Sequence, residues 1–416
     1  IYHLQEEFKT AIRYYHYFKQ ENYFEEIPLK EVNRRIEQSL LAQEMKKNPK
    51  NINIINIGKV INTEFSEYVP LVDAKDSVMF FTSRREGGTG NKKDPYGLYF
   101  EDIYYSLKKN GEWTEPLNIG APLNTETHDA CVAITPDAKT MLIFRTNKNL
   151  MGGDLYITNI KNNQWSEPKL LSENINSKYQ EASACFSEDG NVLYFSSNRP
   201  GGFGGKDIYR SVRFGNGEWS LPVNLGATIN SEYDEDAPFI VNDTVLYFSS
   251  KGHQNIGEYD IFKSVLQKDS TWSEPQNLGY PLNSVDDDIY LSVLPDEITA
   301  YYSSDKKGGY GMQDIYKVEM LDKSKFLIIA KGKVTDTSGV PLKAKLTVID
   351  QQNHKIQGVF RSNAKNGKFI LLLSPNVNYE VVVESKGFQP LTDIINYSAK
   401  EKITEINKNF QLIPKL

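Results

Sequence analysis

Residues 194–209 read YFSSNRPGGFGGKDIY: an apolar strand end, a glycine-rich loop and the start of a second strand. The closing triplet recurs as Asp102-Ile103-Tyr104, Asp154-Leu155-Tyr156, Asp207-Ile208-Tyr209, Asp260-Ile261-Phe262 and Asp314-Ile315-Tyr316, in steps of 52, 53, 53 and 54 residues. A Trp-x-x-Pro marker follows at Trp113, Trp165, Trp219 and Trp272, in steps of 52, 54 and 53. A third marker ends in Asn62, Asn124, Asn176, Asn230 and Asn283. Three independent markers with one period establish an internal repeat.

Each period holds short runs of strand-forming residues separated by Gly, Asn and Pro turns, which is the pattern of a β-propeller blade. In the third unit the strands are expected at 182–186, at 192–197, at the Asp-Ile-Tyr triplet and at the Trp marker. The fifth unit lacks a Trp strand, whereas 51–62 (NINIINIGKVIN) matches the tail of one. The fold class expected is therefore mainly β: a five-bladed β-propeller over 49–322, closed by an N-terminal strand that removes an exposed edge. The longer first step between Asn markers is an insertion around 86–98. Residues 1–48 are helical in pattern, with Val32, Ile36, Leu40 and Leu41 at helical spacing, a start at Pro28 and a stop at Asn48-Pro49. One and a half hairpins bury little, so this segment is expected to end a longer helical array. Residues 325–416 alternate over runs such as 368–373, which predicts a small antiparallel sandwich of about seven strands.

Composition agrees with folded protein: 416 residues, 39% hydrophobic, 12% aromatic and 25% charged. A net charge of −6 argues against general nucleic-acid binding. From Lys325 onward there are 14 basic and 7 acidic residues, leaving 34 and 47 in residues 1–324, so a basic module follows an acidic body. Two cysteines, Cys131 and Cys185, exclude a disulfide scaffold or a cysteine-rich zinc site and are expected to be small buried hydrophobes. No run of 18 apolar residues is present, so no membrane-spanning helix is expected. The chain starts at Ile1, so the N-terminus is expected to be a processed or trimmed end, any targeting segment lying outside it.

The most regular polar feature is an acid five residues after each Asn marker: Glu67, Asp129, Glu181, Glu235 and Asp288. These positions start the innermost strands, and an acidic ring around one channel mouth is expected. Such a ring either binds a cation or basic partner group, or its members cap backbone amides of a neighbouring blade. Recurrence favours capping, because a packing device repeats while a catalytic site needs different groups in different places. Basic residues recur after the second strand, at Arg84, Lys148, Arg199, Lys251 and Lys306, and are expected to pair either with these acids or with the Asp of the Asp-Ile-Tyr motif. The glycine-rich loops do not open helices and are turns, not phosphate cradles. His3, His16, His128, His253 and His354 have no spacing suited to a metal site or a triad, and no catalytic, metal or cofactor residue is assigned. The non-repeated acids Asp234, Asp236, Asp286 and Asp287 keep open a glycosidase-like carboxylate pair, although solvation of a rim loop is the expectation for them.

The units built as in 194–209, followed by Trp219 and Asn224-Leu225-Gly226, resemble the TolB-type, WD-like propeller repeats of Bacteroidetes envelope proteins. Gly332-Lys333-Val334-Thr335-Asp336, Gly367-Lys368-Phe369 and Tyr379-Glu380-Val381 resemble a carboxypeptidase-regulatory-like (transthyretin-like) sandwich, and the helices resemble the end of a tetratricopeptide array. That order is similar to the OmpA-family, PorE-type proteins of the type IX secretion and gliding machinery. The resemblance implies a non-enzymatic scaffold without cofactors, in the periplasm at the outer membrane. Its implied partners are outer-membrane or periplasmic proteins, with peptidoglycan held through an OmpA-like domain. The chain stops at Pro414-Lys415-Leu416, short of such a domain, so that domain's binding residues map onto no position here. A lipid anchor is left open. The alternative from another class is a propeller that binds or hydrolyses glycans.

Overall fold

The computed structural model describes residues 1–21, 27–150, 152–320, 327–352, 354–374, 377–397 and 403–415. The chain divides into two compact units, Ile1–Leu321 and Asp322–Leu416. The helices, expected as a segment of their own, belong to the same unit as the repeats.

Residues 52–320 form five antiparallel sheets among the described residues. In the third, Ala184–Phe186, Val192–Ser197, Asp207–Val212 and Val223–Asn224 pair in chain order. The Trp marker contributes less strand than its sequence suggests: Trp219 makes only an isolated bridge to Arg213, and the outer strand is the Asn-containing pair four residues on. The inner strands Glu67–Val72, Asp129–Ile134, Ala184–Phe186, Glu235–Val241 and Asp288–Val293 each touch the next, and the last touches the first. The arrangement is propeller-like. The last sheet is completed by Ile52–Asn56, which pairs antiparallel with Asp314–Met320 and places Ile54 opposite Val318.

Both faces of these sheets are covered, which explains why Val192–Ser197 is an apolar run with little alternation. Leu193 and Phe195 pack with Leu142 and Leu155 of the second sheet, while Tyr194 packs with Leu246 and Phe248 of the fourth.

Helix α1 spans Phe8–Gln20 and α2 spans Leu29–Lys47, with Pro28 at the N-cap of α2 and Asn48 at its C-cap. Val32 and Ile36 are buried as their spacing requires, but Leu40 is exposed and the buried positions continue with Gln38, Ser39 and Ala42. The reason is polar docking. Gln38 donates to Asn255 Oδ1 and to the Gly257 carbonyl, His3 bridges Ser39 and the Ile256 carbonyl, and Arg35 pairs with Glu258 at 3.1 Å. No described helix is long and apolar enough to cross a membrane.

The second unit has eight strands in two four-stranded sheets among the described residues, close to the expected number of about seven. It is not wholly antiparallel, since Leu327–Asp336 pairs in parallel with Ile403–Asn407 and with Phe410–Leu412. Its core, including Leu346, Val348, Leu371, Val381 and Phe410, is apolar.

Candidate functional site

Most of the repeated polar residues are used to join sheets. Each Asn marker is buried or nearly so and holds both backbone groups of the residue after the repeated Asp: Asn283 Oδ1 accepts from the Ile261 N–H at 2.8 Å and its Nδ2 donates to the Ile261 carbonyl at 2.9 Å. The same bidentate contact joins Asn124 to Ile103, Asn230 to Ile208, Asn176 to Leu155, and Asn62 to Ile315 across the ring closure. A second Asn (Asn56, Asn118, Asn224 or Asn277) donates to the carboxylate of the repeated Asp and accepts from the marker Asn. In the second repeat this position is Leu170, and burial followed by the nearby Glu181 raises the pKa of its Asp154.

The five acids expected at the mouth are buried. Glu67 accepts from the Thr63 N–H and hydroxyl and from Ser83, Asp129 from Thr125, Glu181 from Ser177 and Ser197, Glu235 from Ser231 and Ser250, and Asp288 from Ser284. Each therefore caps an amide four residues upstream in its own linker rather than one in a neighbouring blade. The cationic partners also differ from expectation in three units. Arg199 and Lys306 face Glu181 and Asp288 at 3.2 and 3.4 Å, but Arg85, not Arg84, faces Glu67, and Arg145, not Lys148, faces Asp129. Lys251 turns to Glu258, leaving His253 4.0 Å from Glu235. With the weakest cationic partner, Glu235 is pushed up by burial to about 7.

The chemically varied groups lie beside these acids. Asp236, expected on a solvated rim, is buried, paired with Lys206 at 2.7 Å and hydrogen-bonded to Ser183 and Ser196. Burial opposes its ionisation, but the Lys206 charge and these donors outweigh it and hold the carboxyl below its ordinary value. Asp234 accepts from the Lys206 N–H and Asp287 from the Tyr259 N–H, each across a sheet junction; Asp286 is half-buried near Asp288. Asp287 also donates its N–H to Asp305, whose carboxyl is raised to about 6 by burial and then by the Asp287 and Asp286 charges. A second cluster centres on Glu101, which accepts from the Tyr68 hydroxyl at 2.6 Å and lies 2.6 Å from His128 Nδ1 and 3.6 Å from Arg84 Nε. Burial raises the Glu101 carboxyl, and the His128 contact, Arg84 charge and Tyr68 bond more than reverse that. The Tyr68 and Tyr290 rings stack at 6.2 Å.

Beyond them the inner strands enclose a mainly apolar cavity of about 240 Å³, lined by residues of all five, among them Leu71, Val132, Phe186, Ile240, Tyr290 and Val293. Val69, Ala237 and Tyr290 occupy equivalent positions in their strands at positive φ (54°, 49° and 62°), within register shifts of the inner pair. A β-branched residue there is strained, and such bulges re-aim side chains beside binding sites. Sequence reasoning missed Tyr68, Glu101, His128, Lys206, Tyr259 and Tyr290. A signal existed: the positions flanking each repeated acid and preceding each repeated Asp change residue from repeat to repeat, as in Glu101, Gly153, Lys206, Tyr259 and Gln313. Cys131 and Cys185 are free and buried, with burial pushing both thiols to about 12. No group of acids, His or Cys suited to a metal ion occurs among the described residues.

No family model and no curated protein matches the chain. Among solved structures it is similar to a BT0996–RGII complex (9% identity over 67% of this chain and 95% of that one, TM-score 0.46). It is also similar to a putative TolB from Agrobacterium tumefaciens (14%, 78% and 97%, TM-score 0.39) and to TolB from Acinetobacter baumannii (15%, 63% and 58%, TM-score 0.38). The fold is defined by its own strand pairing.

Proposed function

We propose that the chain is a non-enzymatic docking scaffold of the bacterial envelope, in which a five-bladed propeller presents loops and rims to protein partners. The observation that carries this reading is the engagement of the ionisable groups: Glu67, Asp129, Glu181, Glu235, Asp288, Glu101 and Asp236 are each held by donors of the fold itself. In the finer form of the proposal, the site of action is the periplasm at the outer membrane. The partners there belong to a type IX secretion or gliding complex, and an OmpA-like domain outside this sequence links the assembly to peptidoglycan. Cross-linking in native envelopes, followed by purification and mass spectrometry, tests it. Recovery of envelope proteins cross-linked to lysines of the first unit is expected, and recovery of no protein partner overturns the reading.

One observation favours glycan binding as the second reading. Tyr290, which lines the cavity and stacks on Tyr68, offers an aromatic ring of the kind sugars use. Under that reading a glycan array shows a hit that Tyr290→Ala abolishes; under the scaffold reading the array stays blank.

A further inference from the structure

The loops before the repeated Asp carry one residue whose surroundings differ from unit to unit. Phe203, Ile256 and Tyr310 each lie four residues before their Asp, and their loops are built alike. Their N–H groups donate to one carboxylate oxygen of Asp207, Asp260 and Asp314 (2.7, 2.8 and 2.6 Å), and the following Gly donates to the other. That Gly (Gly204, Gly257 or Gly311) presses against the linker of the next sheet so closely that a Cβ would meet backbone at 2.0–2.5 Å. The three tips are thus presented identically beside the middle residue of a linker: Glu232, Val285 and Glu64 respectively.

The chain shows what one such tip receives. Ile256 and Val285 are covered by α1 and α2 through Phe8 and Ala42, with Leu41 and Met45 packed around them. At the neighbouring junction, Glu232 is paired with Lys30 at the start of α2. At the junction of the fifth and first sheets the pair is left exposed by the described residues. Tyr310 is 52% and Met312 58% exposed, and Glu64 is exposed with no ion pair among the described residues. This uncovered junction adjoins the helical layer, because Lys307 in the same loop donates to the Leu4 carbonyl, and Leu4 is itself exposed.

We infer that the junction of the fifth and first sheets is a docking site for an amphipathic helix of a partner protein, whose apolar face covers Tyr310 and Met312 and whose Lys or Arg pairs with Glu64. The inference rests on the scaffold reading and names the surface and partner chemistry for it. Aromatic and Met side chains at a rim, with one acid beside them, suit an apolar helix face carrying a cation, and the hairpin over Ile256, with Lys30 on Glu232, is the chain's own example of both contacts.

The test places the photo-crosslinker p-benzoylphenylalanine at position 310 in native cells, with position 221, on an outer edge, as control (Leu221 is 74% exposed). The expected result is a crosslink from position 310 into a partner segment that mass spectrometry maps to an amphipathic helix with a basic residue. That segment, made as a peptide, binds the purified chain, and Glu64→Lys weakens it at least about tenfold while the thermal melt is unchanged; exchanging the peptide's basic residue for Glu restores binding to Glu64→Lys. Crosslinks from 221 alone overturn the junction and leave the scaffold standing. Crosslinks from 310 into a second copy, an extended strand or a saccharide also overturn it. Absence of protein crosslinks at both positions overturns the scaffold reading as well.

Discussion

Val192–Ser197 in the first unit and Lys368–Leu373 in the second are both six-residue strands, yet they bury themselves differently. The first has almost every side chain covered, whereas the second alternates exposed and buried. A strand packed on both faces leaves its junctions inside the protein, where polar backbone groups at strand ends need partners. The first unit supplies them with Asn, Asp, Glu and Ser in every repeat. The sandwich needs few such devices, because one face of each strand is wet and its core is aliphatic and aromatic. One unit is held by apolar area plus polar latches, the other mainly by apolar area.

Two effects of similar size are expected to be the largest, and the first comes from emptying the simpler core. Leu371 is fully buried, and Leu371→Ala is expected to cost about 2–5 kcal/mol. Calorimetry should show a sandwich transition that moves while that of the first unit stays. Movement of both would break the contrast between two independently held units. Next comes a latch: Asn283→Leu strips the Ile261 N–H and carbonyl of their partners and should cost about 1–3 kcal/mol for each orphaned group, in the first unit only. A cost below about 0.5 kcal/mol would show that apolar packing alone holds that junction.

Titration sharpens the contrast further. Burial raises Glu235 from 4.5 to about 7 and Asp260 from 3.8 to about 8. An acid whose folded pKa is raised binds more protons folded than unfolded, so its contribution is favourable below the unfolded pKa and is lost as pH rises through the folded one. The melting temperature of the parent should therefore fall between pH 5 and 8 relative to Glu235→Gln and to Asp260→Asn. The comparison must be with these variants, because His3 and His253, lowered chiefly by burial, push stability the other way below their ordinary value. Parallel curves would mean that the acids are not buried as described. The smallest effect is a repair: Leu170→Asn places the missing second Asn beside Asp154 and should stabilise the first unit by about 0.5–1.5 kcal/mol.

Much of the first unit was legible because its constraints recur. The period exposed the repeated sheets, the Asn and acid markers, and the strand at 52–56 that completes the last sheet. Reading failed where a repeat solved the shared problem with a residue one to three positions away. Arg145 reaches Asp129 from within the second strand, and Gly252 leaves no side chain where Arg199 stands in the third unit, so His253 approaches Glu235. The α2 stripe misled at Leu40 for another reason: its neighbours Gln38 and Ser39 are buried by hydrogen bonds, which hydrophobic periodicity does not register.

By itself the sequence determined a repeated all-β body, a helical start and a sandwich after it, together with the residues each repeat needs for its own joints. Only the tertiary structure decided which singular residues meet. Tyr68 joins Glu101 and His128, Asp236 joins Lys206, and the helices settle on Ile256 rather than Tyr310. A constraint obeyed once per unit leaves a period in the chain. A contact made once, by closing a ring over residues tens to hundreds apart, leaves none.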